Sequence, residues 1–459
     1  MTETRTATYS LPDLAGIRVG FLVIGRKRPG FDAEWHQIIE TAAWKALQSI
    51  SSMPARPETR VVDHATLQEA LQQIQNARCD ALVVLQPTMG DGRLAPIIAQ
   101  AWNAPLVLWA TPERPDGNKV SACSLVATHA FASLFRQLDR PFELAYGHPD
   151  HHTTRQQLGR AIRLTYAARA LRRAKIGLVG AHAPGFINMQ VDAAALNRDL
   201  GAQLHHFGLH EFIDLVRSQH QQLVLKDLQA VNALELPMED GISADDLAVN
   251  SRYYLAMRSL MDQEHVDALA VRCWPELPNL IGHWPYLAMA RLAEDGRVVA
   301  MEGDADGALT CLIGKWLGLG VGYISDWLEH DAEAITLWHA GNTMDHLCER
   351  RSVRLGRHFN NDRPLVVNAR LKPDLPVTLV RVWRCDGRYR ITAHHGQTAP
   401  VRRELLGAHG LVVLENRNPA EYFDTLCHQG MPHHVIVFQG HHAQLLTSFA
   451  RQLRLPFVP

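Results

Sequence analysis

The sequence predicts an α/β protein: two doubly wound parallel-sheet domains, then a C-terminal antiparallel domain of β-barrel-like type. Three observations carry this reading. From Ile17 to about residue 330, short apolar runs alternate with helical patterns, the rhythm of parallel strands joined by crossover helices. The polar stretch Gly147–Thr154 (GHPDHHTT) and the long helical run Arg155–Arg173 divide that alternation into two halves. After about residue 355, runs such as Pro364–Ala369, Val377–Trp383 and Tyr389–Ala393 are separated by Gly, Pro and Asp turns, as in antiparallel β-structure. The expected domains are 1–150, 151–330 and 331–459.

Taken in order, Ile17–Ile24 reads as a buried parallel strand. Glu34–Ser49 follows as a helix with Trp35, Ile38, Ile39, Ala42, Ala43 and Leu47 on one face. Leu82–Leu85 and Leu106–Trp109 are further buried strands, and Leu67–Ile74 is an amphipathic helix. Gly25-Arg26-Lys27-Arg28-Pro29 breaks the glycine fingerprint expected of a dinucleotide-binding turn, so nicotinamide binding is not supported. Gln86–Asp91, at a strand end, suits a ligand contact or a simple turn equally.

Lys175–Val179 restarts the alternation and leads into the loop Gly180–Met189, which opens a helix. Ala268–Val271 is a strand followed by Arg272-Cys273-Trp274-Pro275-Glu276, and the Trp274 ring beside a carboxylate suits a sugar face. Cys273 has no base beside it in sequence, so a thiol nucleophile is not indicated. Val298–Met301 is a strand ending on Glu302, and Asp304 and Asp306 read as turn and cap residues of the helix Ala308–Leu317. Tyr323 and Ile324 form a strand that ends on Asp326, and Ile335–Trp338 one that ends on His339. Two carboxylates and an imidazole thus fall at strand ends, where open α/β sheets bind ligands. Hard oxygen donors with a histidine suit Mn²⁺, Mg²⁺ or Fe²⁺ better than a thiolate-loving metal.

Composition narrows the function. Of 459 residues, 47% are hydrophobic and 20% charged, with net charge −1, so nothing favours nucleic acid or an anionic membrane as partner. The seven cysteines are scattered without a CxxC pair, which argues against a disulfide framework or zinc ribbon. The start, MTETRTATYSLPDL, lacks a signal-peptide core, and no apolar run approaches the roughly 20 residues of a membrane helix. A cytoplasmic enzyme is expected. Arg350, Arg351, Arg354 and Arg357 suit either an anionic substituent or a solvated basic face.

The run Met301-Glu302-Gly303-Asp304 with Gly307-Ala308-Leu309-Thr310, then Ile324-Ser325-Asp326 and His339-Ala340-Gly341, resembles the metal-site segment of the L-fucose/L-arabinose isomerase superfamily. The resemblance implies that Glu302 and Asp326 are metal carboxylates, with His339 a fourth ligand or a sugar contact. Gly430-Met431-Pro432-His433-His434 resembles the Gly-Gly-Thr-His-His of arabinose isomerases, which makes His434 the metal-binding imidazole. Side chains alternate along a strand, so at most one of His433 and His434 is expected to face the site. The loop carrying Asn188-Met189 resembles one that lies near sugar in that family, which makes Asn188 a substrate contact.

The implied protein is a Mn²⁺-dependent aldose–ketose isomerase, with Mg²⁺, Co²⁺ or Fe²⁺ as alternative metals. Glu302 and Asp326 would move the proton, while Asn188, Trp274 and His339 bind a free sugar or sugar derivative. The resemblance also implies a homo-oligomer, a trimer or hexamer. Two other classes fit tandem α/β domains: a non-catalytic sugar sensor and a metal-dependent aldolase.

Overall fold

The computed structural model describes residues 14–25, 30–344 and 346–459. The first 13 residues of the leading segment, and Arg26–Pro29 of the turn that departs from the glycine fingerprint, lie outside them. The chain divides into two compact units, Met1–Ala170 and Leu171–Pro459.

In the first unit, β1 (Arg18–Val23), β2 (Met53–Ala55), β3 (Ala81–Leu85), β4 (Leu106–Ala110) and β5 (Phe142–Tyr146) form one parallel sheet in the order β2-β1-β3-β4-β5. Alternate side chains of each strand feed opposite faces. Leu22, Val84 and Leu108 pack with Leu67, Ile98 and Phe131 on one side. Phe21, Val83 and Trp109 pack with Leu47, Leu158 and Ile162 on the other. Every residue of β3 and β4 is buried, because both faces of a doubly wound sheet are covered. The helix Ala33–Ile50 is capped by Asp32, which accepts from Trp35 N at 3.0 Å.

The second unit begins with a four-stranded parallel sheet, as the alternation predicts. Its strands are β6 (Lys175–Val179), β7 (Gln203–Phe207), β8 (Ala268–Val271) and β9 (Val298–Ala300), in the order β7-β6-β8-β9. Nine strands follow: β10 (Tyr323–His330), β11 (Ile335–His339), β12 (Arg354–Arg357), β13 (Pro364–Arg370), β14 (Pro376–Cys385), β15 (Arg388–Ala399), β16 (Ala408–Leu414), β17 (His434–Gln439) and β18 (Phe457–Val458). They form one large sheet in the order β12-β13-β16-β11-β10-β17-β14-β15-β18, with β15 also paired to β16.

Two expectations are corrected here. The C-terminal sheet is mixed and not purely antiparallel, since β13–β16 and β15–β18 run parallel. Asp326 does not end a parallel strand. It lies within β10, opposite Trp338 of β11 and His434 of β17. The polar residues after Ile324 look like a strand end in sequence. They continue the strand because its second half leaves the core and becomes partly exposed.

The helix Ala305–Leu317 ties the two sheets of this unit together, touching β8 and β9 of the parallel sheet and β14 and β17 of the mixed one. Eleven of its 13 residues are buried, as a helix covered on both sides requires. Its N-terminus therefore sits where strand ends of one sheet meet strand interiors of the other.

Candidate active site

Glu302 follows β9 and adopts a left-handed backbone, φ 60°. A non-glycine residue holds that conformation at a cost of about 1–3 kcal/mol, so its surroundings must impose it. They do so through three backbone bonds. Glu302 N donates to Cys273 Sγ (3.3 Å), Glu302 O accepts from Ala183 N (2.8 Å), and Gly303 N donates to Val271 O (3.0 Å). Gly303 has φ 69°, and a Cβ there would stand 2.1 Å from Ala181 O, so the turn needs glycine. Trp274 Nε1 then donates to Glu302 Oε1 at 2.8 Å, fixing the carboxylate. Cys273 is fully buried with its thiol pushed up to about 12 by burial, which agrees with the absence of a nucleophilic role.

The mixed sheet supplies the other side. His434 Nε2 stands 3.4 Å from Glu302 Oε2, 3.5 Å from Asp326 Oδ1 and 3.3 Å from His339 Nε2. Its other nitrogen, Nδ1, donates to Asp304 Oδ2 at 2.8 Å, which turns Nε2 toward Glu302 and Asp326. Asp304 is wholly buried, caps the helix through Gly307 N (2.9 Å), and receives both Nη atoms of buried Arg381 at 2.7 and 2.8 Å. In His339, Nδ1 accepts from Ala340 N at 2.8 Å, so the ring proton sits on Nε2.

Charge follows from these contacts. Burial alone would raise the Glu302 carboxyl, but the imidazoles of His433, His434 and His339 outweigh it and hold the acid well below its ordinary range. Asp304 behaves likewise, with burial opposed by the Arg381 charge and the His434 hydrogen bond. Burial pulls His339 down, toward its neutral form. For His434, burial is overcome by Asp304 and Glu302, which raise the imidazole. Three carboxylates around one imidazole leave a site that favours positive charge at its centre.

All six residues expected to form the site border this one place. Asn188 Nδ2 lies 3.4 Å from His433 Nδ1. The expectation that only one of His433 and His434 faces the site is overturned. His433 Nε2 stands 3.9 Å from Glu302 Oε2 and 4.0 Å from Asp326 Oδ1, because β17 begins at His434 and His433 escapes strand alternation. Glu276 is paired with Arg272 instead of facing the site. Arg350 and Arg357 donate to the loop carbonyls of Leu234, Gly241 and Asp362. His441 groups with His395 and Glu415 beyond the far end of β17. Asp304 and Arg381 are the partners that sequence reasoning missed: Asp304 read only as a cap, and nothing in the sequence marks Arg381.

Two groups have ligand atoms within 4.8 Å of one another: Glu302, His433 and His434, and Asp326, His339 and His434. Asp326 Oδ1 and His433 Nε2 are buried there with no hydrogen-bond partner. Oxygen and imidazole donors with unsatisfied buried atoms between them fit a divalent cation. Beside them lies a cavity of about 500 Å³ within the second unit, walled by Trp274, Trp284, Tyr286, Trp338 and Phe359 and bordered by Glu302, Asp326 and His339.

Residues 23–123 match the family model described as the N-terminal domain of fucose/sulfoquinovose isomerase. Over 442 residues the chain is 26% identical to the sulfoquinovose isomerase of Priestia aryabhattai, covering 95% of this chain and 97% of that protein. The chain is thus similar to fucose/sulfoquinovose isomerases, in its N-terminal part by the family model and along nearly its whole length by the Priestia protein. Similar too are the sulfoquinovose isomerase of Alkalicoccus urumqiensis, 25% identical over 386 residues (83% of this chain, 86% of that protein), and that of Clostridium sp. (strain MSTE9), 23% identical over 445 residues (95% and 98%). The Priestia and Clostridium proteins align over 95% of this chain, so the Glu302 turn lies within the span shared with them. No helix among the described residues is long and apolar enough to cross a membrane.

Proposed function

We propose that the chain is a divalent-metal-dependent aldose–ketose isomerase whose substrate is a hexose carrying a sulfonate. The observation that carries this is the convergence of Glu302, Asp326 and His434 beside one aromatic-walled cavity. The names of relatives aligned over nearly the whole chain support the substrate class.

Isomerisation moves a proton between C1 and C2 of an open-chain sugar through an enediol, and moves another between their oxygens. Glu302, Asp326 and His434 would hold the metal, with Mn²⁺ favoured and Mg²⁺, Co²⁺ or Fe²⁺ the alternatives. A bound divalent cation supplies a Lewis acid that eases the build-up of negative charge on the sugar oxygens.

The chain does the rest. Glu302 is ionised at neutral pH and one of its oxygens is fixed by Trp274, so its carboxylate can take a proton from carbon without first turning. Asp326, with an unpartnered oxygen, is the second carboxylate able to carry the proton. His339 presents a neutral Nε2–H to hold a sugar oxygen, a role its engaged Nδ1 dictates and one that argues against metal ligation through Nε2. Asn188 and the Trp274 ring border the place where the sugar would lie.

The test is chelator-stripped protein incubated with Mn²⁺ and a C6-sulfonated hexose in D₂O, followed by NMR. Ketose formed only in the presence of metal, with no carbon–carbon cleavage, is expected. Three-carbon fragments, or no ketose under any condition, would overturn the proposal.

A further inference from the structure

The cavity has further polar lining besides the carboxylates and His339. It is built by the loop after β12, from His358 to Asn361, together with Trp284. Trp284 stacks on the His358 ring at 4.0 Å and 15°, and Phe359 lies 4.6 Å from the same ring. Trp284 N donates to Pro364 O at 2.7 Å, which pins the indole to the loop's end. Arg363 holds the loop to Pro278 O, and Pro278 also lines the cavity. The wall is fixed from several directions.

The hydrogen bonds decide what it presents. Asn361 Oδ1 accepts from Trp284 Nε1 (3.1 Å) and from Arg363 N (3.3 Å). Both partners are donors, so the amide cannot be flipped and the NH₂ is the free end. His358 Nδ1 accepts from Asn360 N at 3.4 Å, which places the ring proton on Nε2. Burial pushes the His358 imidazole down to about 4, so it is neutral. Both residues line the cavity, and no Lys or Arg does so among the described residues. His358 and Asn361 thus offer N–H donors without charge.

We propose that His358 and Asn361, backed by Trp284, form the specificity wall that receives the sulfonate of the substrate. The inference rests on the isomerase reading above and adds the residues that select the sugar. A sulfonate has three acceptor oxygens and no proton, so it complements the donors of His358 and Asn361, and hydrogen bonds to an ionised acceptor are about twice as strong as neutral ones. A hydroxyl can satisfy donors too, but as a neutral acceptor it does so more weakly. A methyl group would leave the donors unpaired, which is how a polar site rejects an isostere.

The experiment compares kcat/KM for a hexose sulfonated at C6 with that for the same hexose bearing a hydroxyl, in wild type, Asn361→Asp and His358→Phe. Asn361→Asp keeps shape but replaces two donors by a negative charge, and His358→Phe keeps the stack on Trp284 without the donor. The preference for the sulfonated sugar should fall by about tenfold or more in each, mainly through KM. Equal losses on both sugars would overturn the assignment. Calorimetry with a sulfonated hexitol, which cannot isomerise, separates this proposal from the isomerase reading. Binding to wild type that is lost in Asn361→Asp supports the wall even without turnover. Binding unchanged by Asn361→Asp, or absent from wild type, overturns it.

Discussion

Asp304 and Arg381 face each other as a wholly buried bidentate ion pair, with nitrogen–oxygen distances of 2.7 and 2.8 Å. The pair spans the two sheets of the second unit, because Asp304 caps the helix that follows β9 while Arg381 projects from the middle of β14. Asp304 uses the same carboxylate to hold His434 Nδ1. Fold stability and the aim of the His434 imidazole therefore depend on one side chain.

Asp304→Asn tests that dependence. The change leaves a buried guanidinium without its counter-charge, which costs on the order of 3–5 kcal/mol. Loss of the carboxylate behind a ligating histidine weakens metal binding by about 10- to 100-fold. A lowered melting temperature together with weaker Mn²⁺ binding, read by titration of the folded variant, is expected. Destabilisation with Mn²⁺ affinity intact would show that Asp304 does not orient His434.

Glu302→Gln addresses the chemistry itself. The amide keeps the shape and one oxygen but cannot act as a carboxylate base. Loss of general-base catalysis lowers turnover by about 10²- to 10⁴-fold, and disturbed metal binding adds to that. Turnover is measured at saturating Mn²⁺ beside a thermal melt. A folded variant with more than about a tenth of the wild-type rate would move the base to Asp326.

How much of this was legible beforehand depended on where each residue sat in its strand. Buried strands of the parallel sheets announce themselves as short apolar runs, and β6 and β8 fall where those runs do. Glu302 was visible because a carboxylate directly after such a run marks a sheet edge. Asp326 was found for a partly mistaken reason: β10 crosses from core to partial exposure, and its polar half imitates a strand end. His433 was misjudged because alternation holds only inside a strand, and β17 starts one residue later. Arg381 was invisible, since an arginine inside a β-run reads as outward-facing until a buried carboxylate from a distant helix is known to meet it. The donor wall of His358 and Asn361 was equally hidden, because its character lies in which atoms are already engaged.

Asp306 gives a pH-dependent test. Burial raises its carboxyl to about 6, opposed by the Arg381 charge and aided by Asp304. Its ionised form is disfavoured in the folded state. The associated stability is fully present below the unfolded value near 3.8 and is lost as pH rises through about 6. Asn at this position keeps an acceptor for the Tyr389 hydroxyl, now 2.9 Å from Oδ1, and does not ionise. Asp306→Asn should therefore melt higher than wild type at pH 8, by an amount on the order of 3 kcal/mol or less, with that advantage shrinking toward pH 4. A stability difference that does not change across this range would mean that Asp306 is not the titrating group.

Trp274→Phe separates two roles for the indole. If the ring chiefly contacts sugar, removing its N–H should raise KM and leave kcat near its wild-type value. The structure gives the N–H to Glu302 Oε1 at 2.8 Å, while the ring meets Phe186 edge-on at 5.6 Å, a contact that phenylalanine can partly keep. A hydrogen bond to a charged group contributes about 1.5–3 kcal/mol, so a carboxylate freed from it loses much of its fixed orientation. Each 1.36 kcal/mol corresponds to a tenfold change in rate, and the expected fall in kcat is about 10- to 100-fold. Steady-state kinetics at saturating Mn²⁺ and neutral pH separate kcat from KM. A rise confined to KM would make Trp274 a sugar platform and leave the orientation of Glu302 to its backbone turn alone.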